Sequence, residues 1–291
     1  MSDNKETANR LPRWLKRKLP KGNANHFTAR LVNELGLETV CDHARCPNRM
    51  ECYSQKTATF MILGDVCTRG CAFCSVATGS PRPVDEGEPE RIAQATAELK
   101  LRHVVVTCVT RDDLPDGGAG HFARVIRAVR ESCDATIEVL TSDFGGKIAS
   151  VDRIIEAQPD VFNHNTETVP RLYRSIRTPQ SDFRWTLSMF RHIREAAGAI
   201  HLKTGLMLGL GETREELLDT LAELLDAGCG MLTLGQYLRP SPAQIPVVRY
   251  VPPDEFDTLK KMARGMGFSE VAAGPFVRSS YHAREMMISR P

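Results

Sequence analysis

The chain has 291 residues, 42% hydrophobic and 25% charged, with a formal net charge of +2 and a pI near 8.1. That is an ordinary globular composition with material for a large core, and a charge too balanced to argue for nucleic acid. No apolar run reaches 18 residues, so neither a transmembrane helix nor a membrane partner is expected.

The N-terminal "MSDNKETANR" lacks the apolar core of a secretory signal, and its Asp3 and Glu6 argue against a mitochondrial transit peptide. A cytoplasmic location is expected, where disulfides are rare and clustered cysteines point to metal or redox chemistry. Residues 1–24 read as an extended arm. Its Arg10, Arg13, Lys16, Arg17, Lys18 and Lys21 form either a solvated surface or a contact for an acidic partner. Residues 25–36 suit a short helix ended by Gly36.

Next comes a cysteine-rich stretch, with six of the nine cysteines between 41 and 74. Cys41, Cys46 and Cys52 form C-x4-C-x5-C; Cys67, Cys71 and Cys74 form C-x3-C-x2-C. Beyond it, apolar runs rich in β-branched and aliphatic residues predict strands at 60–64, 103–109, 136–141, 161–165, 202–209 and 231–237. A weaker candidate lies at 269–277. Stripes such as Phe122, Val125, Ile126 and Val129 predict helices between them. One helix has a capping box in Thr213 and Glu216, with Gly228 placed to end it. Six βα units predict an α/β fold, a partial (β/α)6 barrel, with chemistry at the C-terminal strand ends. The expected division is residues 1–55 as an N-terminal extension carrying the first triplet, 56–268 as the barrel core, and 269–291 as a C-terminal segment.

Thiolates suit zinc and iron–sulfur clusters. Closed zinc sites use four ligands. Cys67, Cys71 and Cys74 supply three, which would leave one iron of a cubane open, and Gly70 is expected to relieve crowding where the loop wraps it. Zinc closed by a distant residue is the competing reading. Cys108, Cys133 and Cys229 read as core residues.

"CTRGCAFC", with the aromatic Phe73 before its last cysteine, resembles the signature of the radical S-adenosylmethionine superfamily. The two triplets together resemble the lipoyl synthases, as do "WLKRKLP", "ELGLETVCDHARCPN", "DLPDGG", "FNHNTETV", "GLMLGLGET", "LGQYLRPS" and "RSSYHA". The resemblance spans nearly the whole chain. It implies two [4Fe–4S] clusters and S-adenosylmethionine. One cluster would sit on Cys67, Cys71 and Cys74, its open iron chelating S-adenosylmethionine. The auxiliary cluster would sit on Cys41, Cys46, Cys52 and a serine of the RSSY motif, assigned to Ser280 with Ser279 as fallback, and would be consumed as the sulfur source. Arg278 is a candidate to gate or replace that serine.

Further S-adenosylmethionine contacts are expected at Phe73, Thr107, Asp113, Gly117, Gly118, Asn163, Asn165, Glu167, Arg174 and Gly209; Asp112 and Asp116 are weaker candidates. His164 and Lys203 read as packing or strand-end residues. "RTPQSDFRWTL" departs from the family in lacking a glycine and a tyrosine, which puts that loop's contacts in doubt. The implied partners are octanoylated lipoyl carrier domains (2-oxoacid dehydrogenase E2 subunits, the glycine cleavage H protein), an electron donor such as flavodoxin or ferredoxin, and an iron–sulfur carrier protein. Lipoyl carrier domains are commonly acidic, so the basic arm is a candidate dock. The rival readings are another two-cluster sulfur-inserting enzyme such as a methylthiotransferase, a zinc-stabilised binding module, and a cluster carrier.

Overall fold

A computed structural model describes residues 11–16 and 25–288. Arg10, Arg17, Lys18 and Lys21 of the basic arm therefore lie outside the described residues. Arg13 and Lys16 are exposed, and Leu15 between them is buried.

Helix α1 (Asn25–Glu34) ends before Gly36, whose φ of +58° is the left-handed turn expected there. Strand β1 (Glu38–Thr39), helix α2 (Val40–His43) and helix α3 (Arg49–Ser54) carry the first cysteine triplet. Strand β2 (Thr59–Ile62) opens the main sheet. Two short strands, β3 (Val66–Cys67) and β4 (Ala77–Thr78), then pair with each other and tie the ends of the second cysteine loop together.

Helix α4 (Glu88–Glu98) leads to β5 (His103–Cys108), α5 (Ala119–Ser132) to β6 (Thr136–Leu140), and α6 (Ile148–Ile155) to β7 (Val161–Asn163). Short α7 (Tyr173–Ile176) and long α8 (Phe183–Ala196) precede β8 (His201–Leu208). Then follow α9 (Arg214–Asp226), β9 (Met231–Gln236), α10 (Pro253–Met266), β10 (Glu270–Gly274) and α11 (Ala283–Ile288). The capping box at Thr213 and Glu216 is present, and Gly228 follows α9 with φ +100°.

The sheet order is β1-β2-β5-β6-β7-β8-β9-β10. All neighbours are parallel except β1, antiparallel to β2, and the two edges are not paired to each other. This is the expected partial barrel, with one more parallel strand than the six predicted. Strand β10 reads weakly because Ala272, Ala273 and Gly274 are small. The close approach is on its neighbour: the Val277 carbonyl would lie 2.1 Å from a Cβ on Gly235 of β9, whereas a Cβ on Gly274 would meet Val277 Cγ2 at an ordinary 3.5 Å. The C-terminal segment thus crosses directly over the inner face of the sheet.

The outer faces of the strands, such as Val104, Val106 and Phe162, join the helices in one core. A separate small cluster of Val161, Met231 and Met286, with Ala272 and Met287, places α11 against the N-terminal ends of β7, β9 and β10. Burying such side chains contributes about 1.5–3 kcal/mol each.

Candidate functional site

The second triplet follows β2 and sits at the C-terminal end of the sheet. The backbone N–H groups of Arg69 and Thr110 donate to Cys67 Sγ at 3.4 and 3.3 Å. Burial pushes the Cys71 thiol up to about 12 against the pull of the Arg177 guanidinium, and burial likewise pushes Cys74 to about 11. Cys67, Cys71 and Cys74 are near enough to act on one another electrostatically, and Glu167 acts on both Cys71 and Cys74. Such buried thiols ionise only with a cation to replace their protons, as metal binding does.

The loop between them is braced from several sides. The Ala72 N–H donates to the Ile176 carbonyl, and the Ala72 carbonyl accepts from Ile245. Arg69, 7% exposed, donates through Nε and Nη2 to both carboxylate oxygens of Asp112 at 2.7 Å, and through Nη1 to Asp143 at 2.8 Å. Arg69 and Asp143 have no counterpart in the sequence expectations; only their distance in sequence hid the pair. Crowding does not explain Gly70, since a Cβ there would meet Thr78 at an ordinary 3.6 Å.

The first triplet lies at the other end of the sheet. Cys41 is buried, and burial pushes its thiol up to about 12 although the Thr59 backbone N–H donates to its sulfur. Thr59 Oγ1 donates to Ser280 Oγ at 2.8 Å. One residue at the start of β2 therefore touches both a cysteine of the triplet and the RSSY segment. Two further bonds hold that segment to the same region: Asn48 Nδ2 donates to the Phe276 carbonyl at 2.8 Å, and Tyr281 Oη donates to Glu51 at 2.8 Å. Ser279 faces elsewhere. It accepts from Asn163 Nδ2 at 2.8 Å and donates to Asn165 Oδ1 at 2.7 Å. The Arg278 guanidinium reaches Gly235 and acts on Glu167, on the barrel side rather than the cysteine side.

Among the described residues, no three His, Cys, Asp or Glu side chains converge as ligands of a single metal ion.

Between the two triplets lies a buried polar layer. Lys203 Nζ donates to both oxygens of Glu138 at 2.9 Å, both side chains being 0% exposed. Asn163 Nδ2 donates to the same carboxylate at 2.7 Å, and His103 Nε2 lies 3.4 Å away. Burial pushes the Glu138 carboxyl up, but Lys203 and His103 outweigh it and hold it at about 2. Lys203 is thus half of an interior ion pair, not a strand-end charge.

The remaining expected contacts divide. Asn163, Asn165 and Glu167 end or follow β7 and face the interior; burial raises the Glu167 carboxyl, opposed chiefly by Arg177. Phe73 packs partly buried against the core, and Thr107 is bonded to the Leu140 carbonyl at 2.9 Å. Arg174 is a correction. It is exposed on α7, whereas Arg177, missed in the sequence, turns inward, donates to the Asn165 carbonyl at 2.9 Å and acts on Cys71 and Glu167. The chain leaves helix α7 at Arg177 with φ −90° and ψ −151°, and this turns it inward.

Asp113 is also corrected: it is exposed and paired with Arg111 of its own loop at 2.8 Å. Asp116 caps the backbone N–H groups of Gly118 and Gly120. Gly117 and Gly118 (φ +63° and +91°) are buried under Phe144 and Leu63, a Cβ on Gly118 meeting Leu63 Cδ1 at 2.2 Å. Gly209 (φ +94°) likewise lies under the Arg249 carbonyl, 2.3 Å from a Cβ there. Each of these glycines lets the chain pass closer to its neighbour than a side chain would allow. Cys229 is buried in the core and Cys133 caps α5, as expected.

Buried polar atoms without a protein partner cluster at the ends of β6 and β7: Thr141 Oγ1, Asn163 Oδ1, His164 Nε2 and Arg177 Nε. With Glu167 they offer both donors and acceptors beside the second triplet, the chemistry a zwitterionic, ribose-bearing molecule needs. No helix among the described residues is long and apolar enough to cross a membrane.

Comparison with known proteins bears on the family and the fold. A model of the radical SAM superfamily matches residues 61–224, and one of the N-terminal domain of lipoyl synthase matches residues 1–46. The lipoyl synthase of Rhodopirellula baltica is 61% identical over 95% of this chain and 88% of that protein. Those of Methylococcus capsulatus and Caldanaerobacter subterraneus are 53% and 49% identical, each over 94% of this chain and over 85% and 96% of theirs. Among solved structures, Streptococcus suis SuiB bound to its precursor peptide SuiA aligns with a TM-score of 0.57 at 11% identity, covering 78% of this chain and 50% of that one. Methylornithine synthase (PylB) aligns with a TM-score of 0.50 at 15% identity, covering 80% and 68%. At such identities these two show the fold alone. The chain belongs to the lipoyl synthases, sulfur-inserting enzymes of the radical S-adenosylmethionine superfamily, and so to a class that uses a [4Fe–4S] cluster and S-adenosylmethionine.

Proposed function

We propose that this chain inserts two sulfur atoms, at C6 and C8, into an octanoyl group amide-linked to a lysine of a lipoyl carrier domain, in a cytosolic setting. The observation that carries the two-site reading is Thr59. Its N–H meets Cys41 and its hydroxyl meets Ser280, which gives the first triplet a fourth donor from the far end of the chain. Cys41, Cys46, Cys52 and Ser280 would hold the auxiliary cluster; Cys67, Cys71 and Cys74 would hold the other. When bound, the clusters and S-adenosylmethionine supply the electron, the 5′-deoxyadenosyl radicals that take hydrogen from C6 and C8, and the sulfur.

The chain's own part is to hold and to exclude. Ser280 faces the triplet while Ser279 is tied to Asn163 and Asn165, which favours Ser280 as the ligand. An alkoxide is a harder and more weakly held ligand to iron than a thiolate, suited to release when sulfur leaves. Arg278, two residues before Ser280, has its guanidinium on the barrel side; to gate the serine or take its place it would have to swing towards the cysteines. Arg177 and Glu167, with Asn163 and Asn165, would orient the amino-acid and ribose portions of S-adenosylmethionine. Helix α11, packed on the N-terminal ends of β7, β9 and β10, closes the interior from below and would help to keep water from the radical. Arg13 and Lys16, with the rest of the basic arm, would meet an acidic carrier domain.

The test is anaerobic reconstitution with iron and sulfide, followed by reductant, S-adenosylmethionine and an octanoyl-lysyl peptide. Two clusters' worth of iron per chain and a product with two C–H bonds replaced by C–S bonds are expected. If 5′-deoxyadenosine forms while the peptide mass stays unchanged, the substrate assignment fails. Ser280→Ala should keep 5′-deoxyadenosine formation and lose the inserted sulfur.

A further inference from the structure

A cavity of about 410 Å³ opens on the face opposite the second triplet, between the start of β2, the turn before β5 and helix α11. Its inner wall holds Cys52, Thr59 and Ser280. Its rim holds Lys56, Lys100, Arg102 and Arg284, all exposed. Among the described residues no carboxylate pairs with any of the four; Lys56 lies over the Phe27 ring at 5.2 Å. One carboxylate, Glu285, shares the rim and is taken up by His282. Four cations around a recess, with metal-ligating side chains at its base, make a field that draws anions inward.

We propose that this cavity is the port through which a [4Fe–4S] cluster ligated by anionic thiolates is delivered to the first triplet. The proposal rests on reading Cys41, Cys46, Cys52 and Ser280 as ligands. On that reading the cluster is consumed and must be replaced between turnovers, and the mouth of the barrel serves entry of S-adenosylmethionine and the acyl chain and exit of their products. Because the strands are parallel, the port lies at their N-terminal ends, and the mouth at their C-terminal ends. Delivery therefore need not wait for the mouth to clear.

The step is ligand exchange without net electron transfer. Cys41, Cys46, Cys52 and Ser280 each replace one donor thiolate on iron and pass their proton to the thiolate that leaves. The cationic rim favours approach of the anionic donor.

The test uses the full chain with Cys67→Ala, Cys71→Ala and Cys74→Ala, so that only the first triplet can load. A synthetic [4Fe–4S] cluster carrying four small thiolates is the donor, and the readouts are the rate of growth of cluster absorbance and final iron per chain. Lys56→Glu, Lys100→Glu and Arg102→Glu together should slow uptake about tenfold or more at low ionic strength and leave final iron unchanged. The difference should fade with added salt. Arg127→Glu, Arg214→Glu and Lys261→Glu, which change net charge equally on other exposed surfaces, should have little effect. Equal slowing by the two sets, or none by the first, overturns the port. In the protein with all six cysteines in place, a higher KM for octanoylated carrier from the same three charge reversals, with cluster uptake unchanged, also overturns it and gives this face to the carrier. A parent that takes up no cluster at all overturns the reading of the first triplet, and the port with it.

Discussion

Lys203→Met would leave the Glu138 carboxylate at zero exposure without its ammonium partner. In the native protein that carboxyl sits at about 2, against 4.5 when unperturbed. At about 1.4 kcal/mol per pH unit, the ionised form gains about 3 kcal/mol at pH 7. Without Lys203 the group would escape burial as a charge by taking up a proton. At pH 7 that protonation also costs about 3 kcal/mol. Added, the two come to about 6 kcal/mol; removing the buried ammonium also removes its own desolvation cost, so a loss of about 3–5 kcal/mol, the general range for breaking a buried pair on one side, is expected from a total stability of about 5–15 kcal/mol.

The pH dependence fixes the cause. In the variant the folded-state pKa of Glu138 is raised, so its neutral form is free of penalty below the unfolded value and increasingly costly above it. The deficit relative to the native protein should shrink by about 1.4 kcal/mol per unit as pH falls from 7 towards 5. Lys203→Met with Glu138→Leu should recover most of the stability at pH 7. Urea unfolding of the three proteins at pH 7 and pH 5, read by circular dichroism, supplies the numbers. A loss below about 1 kcal/mol for the single variant, or no recovery in the double one, would refute the argument.

Three other outcomes are expected. Arg177→Met should weaken S-adenosylmethionine binding by tenfold or more, about 1.5–3 kcal/mol for a hydrogen bond to a charged group; Arg174→Met, at the surface, should leave it unchanged, both read by calorimetry on the anaerobic holoenzyme. Gly118→Ala should destabilise by about 1–3 kcal/mol in thermal unfolding, from a left-handed φ and a methyl driven into Leu63. Burial and Arg177 hold His164 down at about 4. Its contribution is therefore fully present above about 6.5 and is lost as pH falls through 4, so His164→Gln should flatten the fall in stability between those values.

The strands were legible because a parallel sheet covered on both faces must be written in continuous apolar runs. Helix α9 was legible to its caps because its capping chemistry is local. The cysteines were legible because ligand spacing is local too. Glu138 and Lys203 were not. Each lies inside an apolar run, and its partner is 65 positions away, a pairing that only the register of β6, β7 and β8 creates. Arg177 was missed for another reason. Arg171, Arg174 and Arg177 stand three apart, and periodicity cannot tell which one a four-residue helix turns inward. The close neighbours of Gly117, Gly118 and Gly209, namely Phe144, Leu63 and the Arg249 carbonyl, come from other parts of the chain and have no local signal. The exposed Asp113 had a partner two residues away.

The bond between Thr59 and Ser280 spans 221 positions, with every strand from β2 to β10 folded in between. Loop closure over such a length waits on the rest of the sheet. The chain can offer its first three cysteines early, yet the fourth donor arrives only when the last parallel strand is in register. If Cys41, Cys46, Cys52 and Ser280 are the ligand set proposed above, its completion is a built-in inspection of the whole fold: a molecule with a slipped or missing strand would present three thiols and no serine. Firm retention of a cluster by the first triplet would then sort finished molecules from unfinished ones, without any separate device to do so.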